Sequence, residues 1–293
     1  MEEEKYDQEG SSENLGQPEE GVVEDSGPVN YNTINVPTLA ELKAKGKSAE
    51  ILLWVGCAGA YDDRYQKVTQ DLVRILSHLN ISYGVLGIEE SCTGDPAKRA
   101  GNEFIYQMQA MKNIETLNSY GVKKVLTACP HCFNIIKNEY PELGGSYEVL
   151  HHSVFLQQLI NAGRLKINGG GEFKGKTITF HDSCYLGRGN DIYEAPRSVI
   201  QALDVNLIEM KRNKSKGLCC GAGGAQMFKD AEPGNKEVNI ERSEEALETN
   251  PDVIATACPF CMTMLVDGVK HHNKEHEVKV LDLAELVAKS NNL

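Results

Sequence analysis

Nine cysteines fall into two copies of one spacing, and the second copy has one more than the first. Cys57 is followed 35 residues later by Cys92, then by Cys129 and Cys132 in the stretch TACPHC. Cys184 is followed 35 residues later by the adjacent pair Cys219 and Cys220, then by Cys258 and Cys261 in TACPFC. The offset between copies is 127 residues for the first two positions and 129 for the last pair, and Thr93 stands where Cys220 stands. Such a duplication calls for two similar units, each gathering thiols that lie far apart in sequence.

A chain of 293 residues has room for two ordinary domains. The repeat divides it into a first cysteine-rich domain at 48–165 and a second at 172–293, preceded by an acidic tail at 1–47. Residues 1–30 contain ten Asp or Glu and only Lys5, so this stretch carries −9 of the net −12 and leaves the rest near neutral. A segment so acidic and so poor in apolar residues lacks the surface to fold alone and reads as solvated and disordered, a solubility tail or a partner-docking arm. The polar N-terminus is not a signal peptide, and no apolar run approaches the ~20 residues that span a bilayer. The expected location is therefore cytoplasmic, where regularly spaced thiols are metal ligands or redox groups and disulfides are rare. No basic stripe with interleaved aromatics offers itself to nucleic acid.

Apolar, β-branched runs alternate with helical patterns throughout. Strands are expected at 51–55, 82–86, 122–127 and 147–150, with helices at about 63–78, 103–118, 134–139 and 154–160. The second half repeats the order, with strands at 177–180, 206–209, 253–256 and 278–281 and helices near 196–203, 238–248, 262–269 and 284–289. This is an α/β chain of two similar Rossmann-like lobes, each a mostly parallel sheet with flanking helices. Every cysteine follows a strand or lies in a strand-to-helix loop, so the thiols belong on the rim at the carboxyl ends of the strands, where open α/β folds bind ligands.

Cys-Pro-X-Cys places two sulfurs within reach of one metal, and proline stiffens the turn while removing an N–H. Two distant thiols complete four ligands per half, which suits tetrahedral zinc or an iron–sulfur cluster; metal-free redox thiols are the third option. The adjacent Cys219 and Cys220 are awkward around one zinc ion but find separate positions on a multi-iron cluster. The segment Gly221-Ala222-Gly223-Gly224 lets backbone N–H groups approach sulfur. Lys98 and Arg99, after Cys92, are either cations that favour a reduced cluster or a solvated helix start.

The motifs GCAG at Cys57, ESCTGDPAKRAGNEF at Cys92, TACPHC, HDSCYLGR at Cys184, GLCCGAGG at Cys219 and TACPFC resemble the cysteine-rich CCG domain over roughly residues 50–290. That domain is known from the heterodisulfide reductase B subunit and from iron–sulfur subunits of glycolate, lactate and glycerol-3-phosphate oxidation systems. The CTGDPAKRAGNEF stretch is most similar to short stand-alone heterodisulfide-reductase-related iron–sulfur proteins.

The resemblance implies a [4Fe–4S] cluster, noncubane in type, on Cys184, Cys219, Cys220, Cys258 and Cys261. It implies a [4Fe–4S] cubane or zinc on Cys57, Cys92, Cys129 and Cys132, with no cofactor site beyond these ligands. Within it, Cys219 and Cys220 are the candidate catalytic pair, since the family's cluster takes part in breaking a disulfide. No ferredoxin CxxCxxCxxxCP run and no GxGxxG fingerprint occurs in the chain. A ferredoxin-like iron–sulfur or flavoprotein partner, membrane-bound in one version, is therefore expected to exchange electrons with it.

The function expected is an electron-transfer or oxidoreductase subunit of a heterodisulfide-reductase-like complex. The alternatives are a non-catalytic electron-transfer subunit for hydroxy-acid or acyl-thioester oxidation and a zinc-containing scaffold. Of the remaining residues, His181 is a candidate hydrogen-bond donor to cluster sulfur or a satisfied strand-end histidine. His131 lies beside the first centre without ligating it, and His151 belongs to a polar rim. Arg188 is a candidate for a substrate carboxylate or a local acid, and Trp54 reads as core.

Overall fold

In the computed structural model, which describes residues 35–167, 169–230 and 233–293, the two cysteine repeats become two four-stranded sheets. The first joins β1 (Ile51–Trp54), β2 (Tyr83–Gly84), β3 (Lys124–Thr127) and β4 (Glu148–His151) in the order β2-β1-β3-β4. The second joins β5 (Thr177–Phe180), β6 (Asn206–Leu207), β7 (Val253–Thr256) and β8 (Lys279–Asp282) in the order β6-β5-β7-β8. Every pairing between these strands is parallel. Buried runs such as Ile51–Trp54 and Val253–Thr256 are what a parallel sheet covered on both faces demands.

Parallel neighbours need crossovers, and helices supply them. The helices of the first lobe are α1 (Leu39–Ala44), α2 (Gly56–Tyr61), α3 (Asp63–His78), α4 (Asp95–Arg99), α5 (Glu103–Ser119), α6 (Pro130–Asn138) and α7 (His152–Asn161), of which α2 to α6 lie in the crossovers between its strands. The second lobe has α8 (Gly187–Asn190), α9 (Glu194–Gln201), α10 (Val238–Leu247), α11 (Pro259–His271) and α12 (Leu283–Ser290). In α3 the buried Tyr65, Val68, Leu72, Ile75 and Leu76 recur at helical spacing, and Asp62 caps its start by accepting the Tyr65 N–H at 2.7 Å.

Three differences from the expected elements bear on the site. Helices α6 and α11 begin at Pro130 and Pro259, not at Asn134 and Met262, because each preceding cysteine is extended and proline at the first helical position is already set for the helix. Cys132 and Cys261 therefore lie in the first turn of a helix. The short α2 was not expected, and it carries Cys57. Finally, β2 stops at Gly84, and Val85 just beyond it pairs with the segment 37–39: the Leu39 N–H donates to the Val85 carbonyl at 2.8 Å, and the Val85 N–H to the Pro37 carbonyl at 3.0 Å.

The same contact corrects the tail. Within the stretch 1–47, residues 38–44 form a capped helix with Leu39 buried, and a Cβ on Gly84 would fall 2.8 Å from Leu39. Residues 1–34 lie outside the described part.

The lobes share one apolar core, with α3 against α12 and α7 against α9. Polar groups lock the seam. Arg64 donates to both carboxylate oxygens of Glu285 at 2.9 and 2.8 Å and to the Val280 carbonyl. Asp282 accepts from His152 Nε2 at 2.8 Å and from the Tyr65 hydroxyl at 3.3 Å, and Tyr65 also donates to the Ala128 carbonyl. Among the described residues no helix is long and apolar enough to cross a membrane.

Candidate metal centres

In each sheet the strand order reverses beside the first strand of the lobe, between β1 and β3 and between β5 and β7. The crevice at the carboxyl ends of such a strand pair is where open α/β sheets bind ligands. Cys57 follows β1, and Cys129 and Cys132 follow β3; Cys184 follows β5, and Cys258 and Cys261 follow β7. The remaining thiols arrive on the loops after β2 and β6. All nine cysteines are free thiols.

In the first lobe Cys57, Cys92, Cys129 and Cys132 line a cavity of about 20 Å³, closed from the other lobe by Pro259 and Phe260. Gly56 approaches this cavity with φ +76, and a Cβ there would lie 3.4 Å from Cys132 Sγ, so a side chain would crowd the sulfur. The Gly94 N–H donates to Cys92 Sγ at 3.5 Å, with Gly94 at φ +89. Glu90 braces the turn by accepting from the Val55 and Gly56 N–H groups at 3.1 and 2.5 Å, and burial pushes its carboxyl up to about 7.

The second lobe repeats these contacts. The Gly221 N–H donates to Cys219 Sγ at 3.3 Å, with Gly221 at φ +96. Ser183, at the position of Gly56, has its hydroxyl 3.8 Å from Cys261 Sγ. Thr93 Oγ1 lies 4.0 Å from Cys132 Sγ, and in the second lobe the Cys220 sulfur lies within 4.8 Å of the Cys261 sulfur. The fifth cysteine thus takes the place of a hydroxyl beside an equivalent sulfur and leaves the backbone scheme intact.

The thiols within each group hold one another's protons. The hydrogen bond from Cys57 pulls Cys92 down to about 6, helped by the Gly94 N–H, while the same bond and burial push Cys57 up. Cys219 is pulled down by Cys184, Cys220 and the Gly221 N–H, and its bonds to them raise Cys184 and Cys220. Burial opposes ionisation of Cys258, but hydrogen bonds with Cys261 and His131 outweigh it and hold the thiol below its ordinary range. Cys132 and Cys261 are pushed up by their neighbouring thiols and by burial. Four or five sulfurs, each group with a backbone N–H aimed at it, match a sulfur-ligated metal or cluster, which binds thiolates and releases these shared protons.

Several other sequence candidates find definite partners. A nitrogen of the buried His181 lies within 4.8 Å of the sulfurs of Cys220 and Cys261, while Nδ1 accepts from Arg242 Nε at 2.9 Å. Burial, reinforced by Arg242, lowers this histidine to about 3, so the ring is neutral. Arg188 pairs with no acid among the described residues; it donates to the Gly217 carbonyl at 3.0 Å, bracing the loop that leads to Cys219. Lys98 and Arg99 are not loose cations, because Glu139 pairs with both and Asp95 with Arg99. His151 is a satisfied helix cap, accepting from Ser153 and hydrogen-bonded to the Ala128 carbonyl, and Trp54 is core. Sequence reasoning missed Glu90, Arg242 and Asp95. Their roles depend on contacts 34 to 61 residues away, although the ESC and TGD contexts of Glu90 and Asp95 were visible.

Comparison with known proteins agrees with this arrangement. The chain is 45% identical over 256 residues to the probable iron-sulfur-binding oxidoreductase FadF of Bacillus subtilis, covering 87% of this chain and 36% of that one. It is 44% identical over 255 residues to the EtfAB:quinone oxidoreductase of Syntrophomonas wolfei, covering 85% of this chain and 35% of that one. It is also 36% identical to one component of the dihydromethanophenazine:CoB–CoM heterodisulfide reductase of Methanosarcina barkeri, covering 83% of this chain and 59% of that one. The chain thus spans between about a third and three fifths of the length of these relatives. The cysteine-rich domain known as CCG matches twice, at residues 51–137 and 178–266, each match reaching from the first strand of a lobe into the helix after its Cys-Pro-X-Cys turn. With both cysteine groups inside those two matches, the chain belongs to the CCG cysteine-rich domain family.

Proposed function

We propose that this chain is an iron–sulfur electron-transfer subunit of a heterodisulfide-reductase-like oxidoreductase complex. The observation that carries this reading is the convergence of the duplicated cysteine pattern on two equivalent strand-end crevices, with Cys220 added beside an otherwise repeated contact scheme. In this reading Cys184, Cys219, Cys220, Cys258 and Cys261 hold a noncubane [4Fe–4S] cluster, and Cys57, Cys92, Cys129 and Cys132 hold a [4Fe–4S] cubane. Clusters bound there would supply one-electron chemistry. The chain itself positions the sulfurs, aims the Gly94 and Gly221 N–H groups at them, and excludes water with Pro259 and Phe260. Cys219 and Cys220 form the reactive end, since the second centre has a thiol more than four-coordination at one ion requires. The first centre has a second reading: its cavity of about 20 Å³ also suits a single tetrahedral zinc ion.

Metal, sulfide and electron paramagnetic resonance analysis of anaerobically purified protein tests the assignment. About eight iron per chain is expected for two [4Fe–4S] centres, and four iron with one zinc for the mixed version. Zinc alone, or no metal, removes the redox reading.

The partner in this reading is an iron–sulfur or flavoprotein subunit, soluble or membrane-bound. Relatives named for EtfAB, quinone and heterodisulfide chemistry, all longer than this chain, support it. Its docking face is the outer side of α5, where Phe104, Met108 and Met111 are exposed at helical spacing while Tyr106, Ala110 and Leu117 are buried on the other side. Ile88 and Tyr61, on the segments leading to Cys92 and following Cys57, are exposed as well. Replacing Met108 and Met111 by glutamate is expected to weaken co-purification of the native partner at least about tenfold, the equivalent of about 1.4 kcal/mol. Both centres should keep their spectra, and undiminished co-purification would move the docking face elsewhere.

A further inference from the structure

We propose that Arg242 is a positioning residue of the second centre: it fixes His181 as a hydrogen-bond donor toward the thiol sulfurs and bars it from serving as a ligand. The proposal rests on the iron–sulfur reading of the five-cysteine group.

A ring nitrogen of His181 and the sulfurs of Cys220 and Cys261 all lie within 4.8 Å of one another, and all three residues are buried. One histidine and two cysteines so close would ordinarily make a metal site. The arginine decides otherwise. Arg242 Nε donates to His181 Nδ1 at 2.9 Å. A guanidinium nitrogen only donates, so Nδ1 must present its lone pair and the ring proton must sit on Nε2. Both nitrogens are then committed, one to the arginine and one to its own hydrogen, and neither is left to bind iron. What the ring has to offer the sulfurs beside it is an N–H.

Arg242 is itself held. Its side chain is fully buried in α10, where Nη1 donates to the Arg212 carbonyl at 2.9 Å and to Glu245 Oε2 at 3.2 Å. The same Glu245 oxygen accepts from Arg212 Nε at 2.9 Å, so one carboxylate is divided between two guanidiniums. Nη2 finds no hydrogen-bond partner among the described residues. A buried, partly neutralised cation therefore stands behind the imidazole. Positive charge and donors to ligand sulfur both favour the reduced form of a cluster.

The first lobe lacks this device. Leu53 pairs with Leu126 as Phe180 pairs with Ala255, so by strand register Trp54 holds the place of His181. In α5 the buried Ala110, Asn113, Ile114 and Leu117 recur in α10 as Asn239, Arg242, Ser243 and Ala246, at the 129-residue offset of the Cys-Pro-X-Cys pairs. Asn113 thus answers to Arg242, and it turns to the Cys92 carbonyl at 3.0 Å. Trp54 Nε1 has no partner among the described residues. Cation and imidazole serve one centre only, which separates the potentials of two otherwise similar sites.

The test uses the reconstituted full chain with isotopically labelled histidine nitrogens, reduced and read by pulsed electron paramagnetic resonance. The second-centre signal is the one lost in Cys184→Ser. It is expected to show a weak coupling to histidine nitrogen that disappears in His181→Gln. A strong coupling, of nitrogen bound directly to iron, or no coupling that depends on His181, would overturn the proposal. A redox titration then isolates the arginine. Arg242→Met is expected to lower the midpoint of the second centre, cutting its reduced-to-oxidised ratio at fixed potential about tenfold, equivalent to about 59 mV for one electron. The first centre, where it gives a signal, should move less, and Arg242→Lys, which keeps a cationic donor, should recover much of the difference. No shift, equal shifts of both centres, or equal shifts with Met and Lys would each sink the role of Arg242. Should Arg242→Met not fold, Arg242→Gln, which keeps an N–H without the charge, carries the titration: a smaller fall supports the proposal and an unmoved midpoint counts against it. Wild-type protein without iron would remove the iron–sulfur reading and this inference with it, whereas an iron–sulfur signal with directly bound nitrogen sinks this inference alone.

Discussion

Cys220→Thr is expected to turn the second centre into a four-thiolate site like the first, altering one metal signature and leaving the other untouched. Thr93 Oγ1 stands 4.0 Å from Cys132 Sγ, and the Cys220 sulfur lies within 4.8 Å of the Cys261 sulfur. The flanking glycines Gly94 and Gly221 share a left-handed backbone and an N–H donated to the preceding sulfur. The two loops thus differ where it matters by one side chain, and threonine is already accommodated by this backbone in the first lobe. Folding should therefore survive the change. What is lost is a buried thiol whose sulfur lies within 4.8 Å of the Cys261 sulfur. Removing an outer-shell contact to a metal ligand typically costs 10–100-fold in affinity or activity. In the proposed reading Cys220 is a ligand, so its loss should cost at least about that much in retention of the second centre, with full replacement of its spectrum. The reverse change, Thr93→Cys, should alter only the first centre. If Cys220→Thr leaves spectrum, iron content and activity as they were, the fifth cysteine has no special role.

How much of this was legible in the sequence differs by level. Strand and helix periodicity located all eight strands, since buried parallel strands such as Ile51–Trp54 and Val253–Thr256 are short runs dominated by apolar and β-branched residues. The cysteine spacing gave the two groups without reference to any side-chain contact. The starts of α6 and α11 were misjudged because Cys-Pro reads as a turn signal, and only the observed backbone shows the cysteine acting as helix cap. The acidic composition of the first thirty residues drew the tail boundary too far, hiding the capping box of Thr38 and Glu41 in front of α1. His131 was expected beside the first centre and does line its cavity; sequence adjacency could not show that its ring also packs against Tyr185 and Phe260 of the second lobe. The partners of Lys98, Arg99 and Arg188 were invisible for the same reason: Glu139 and the Gly217 carbonyl come from other loops.

Asp282→Ala is expected to cause the largest loss of stability among single changes at the seam, about 3–5 kcal/mol, the range for breaking a buried polar network by removing one partner. Asp282 and its partner His152 are both fully buried. One carboxylate accepts from His152 at 2.8 Å and Tyr65 at 3.3 Å in the first lobe, and caps α12 through the Ala284 N–H at 2.9 Å. His152 Nδ1 has no hydrogen-bond partner among the described residues, so alanine at 282 would leave the ring without its bond to the other lobe. By contrast the exposed pair Lys174–Asp204, at 3.6 Å, should contribute about 0–1 kcal/mol. Against a typical total of 5–15 kcal/mol, the Asp282 loss should appear as a clear fall in the urea midpoint at unchanged slope. Tyr65 ties this network to the metal sites, because its hydroxyl also bonds the Ala128 carbonyl one residue before Cys129. The seam that keeps the lobes together is therefore also the support that keeps the two cysteine groups facing each other. Under native conditions the destabilised variant should retain both metal signatures, and both should vanish in one transition on unfolding. Separate loss of the first and second signatures, or a midpoint shift no greater than that of Lys174→Ala, would mean that the lobes hold their centres independently.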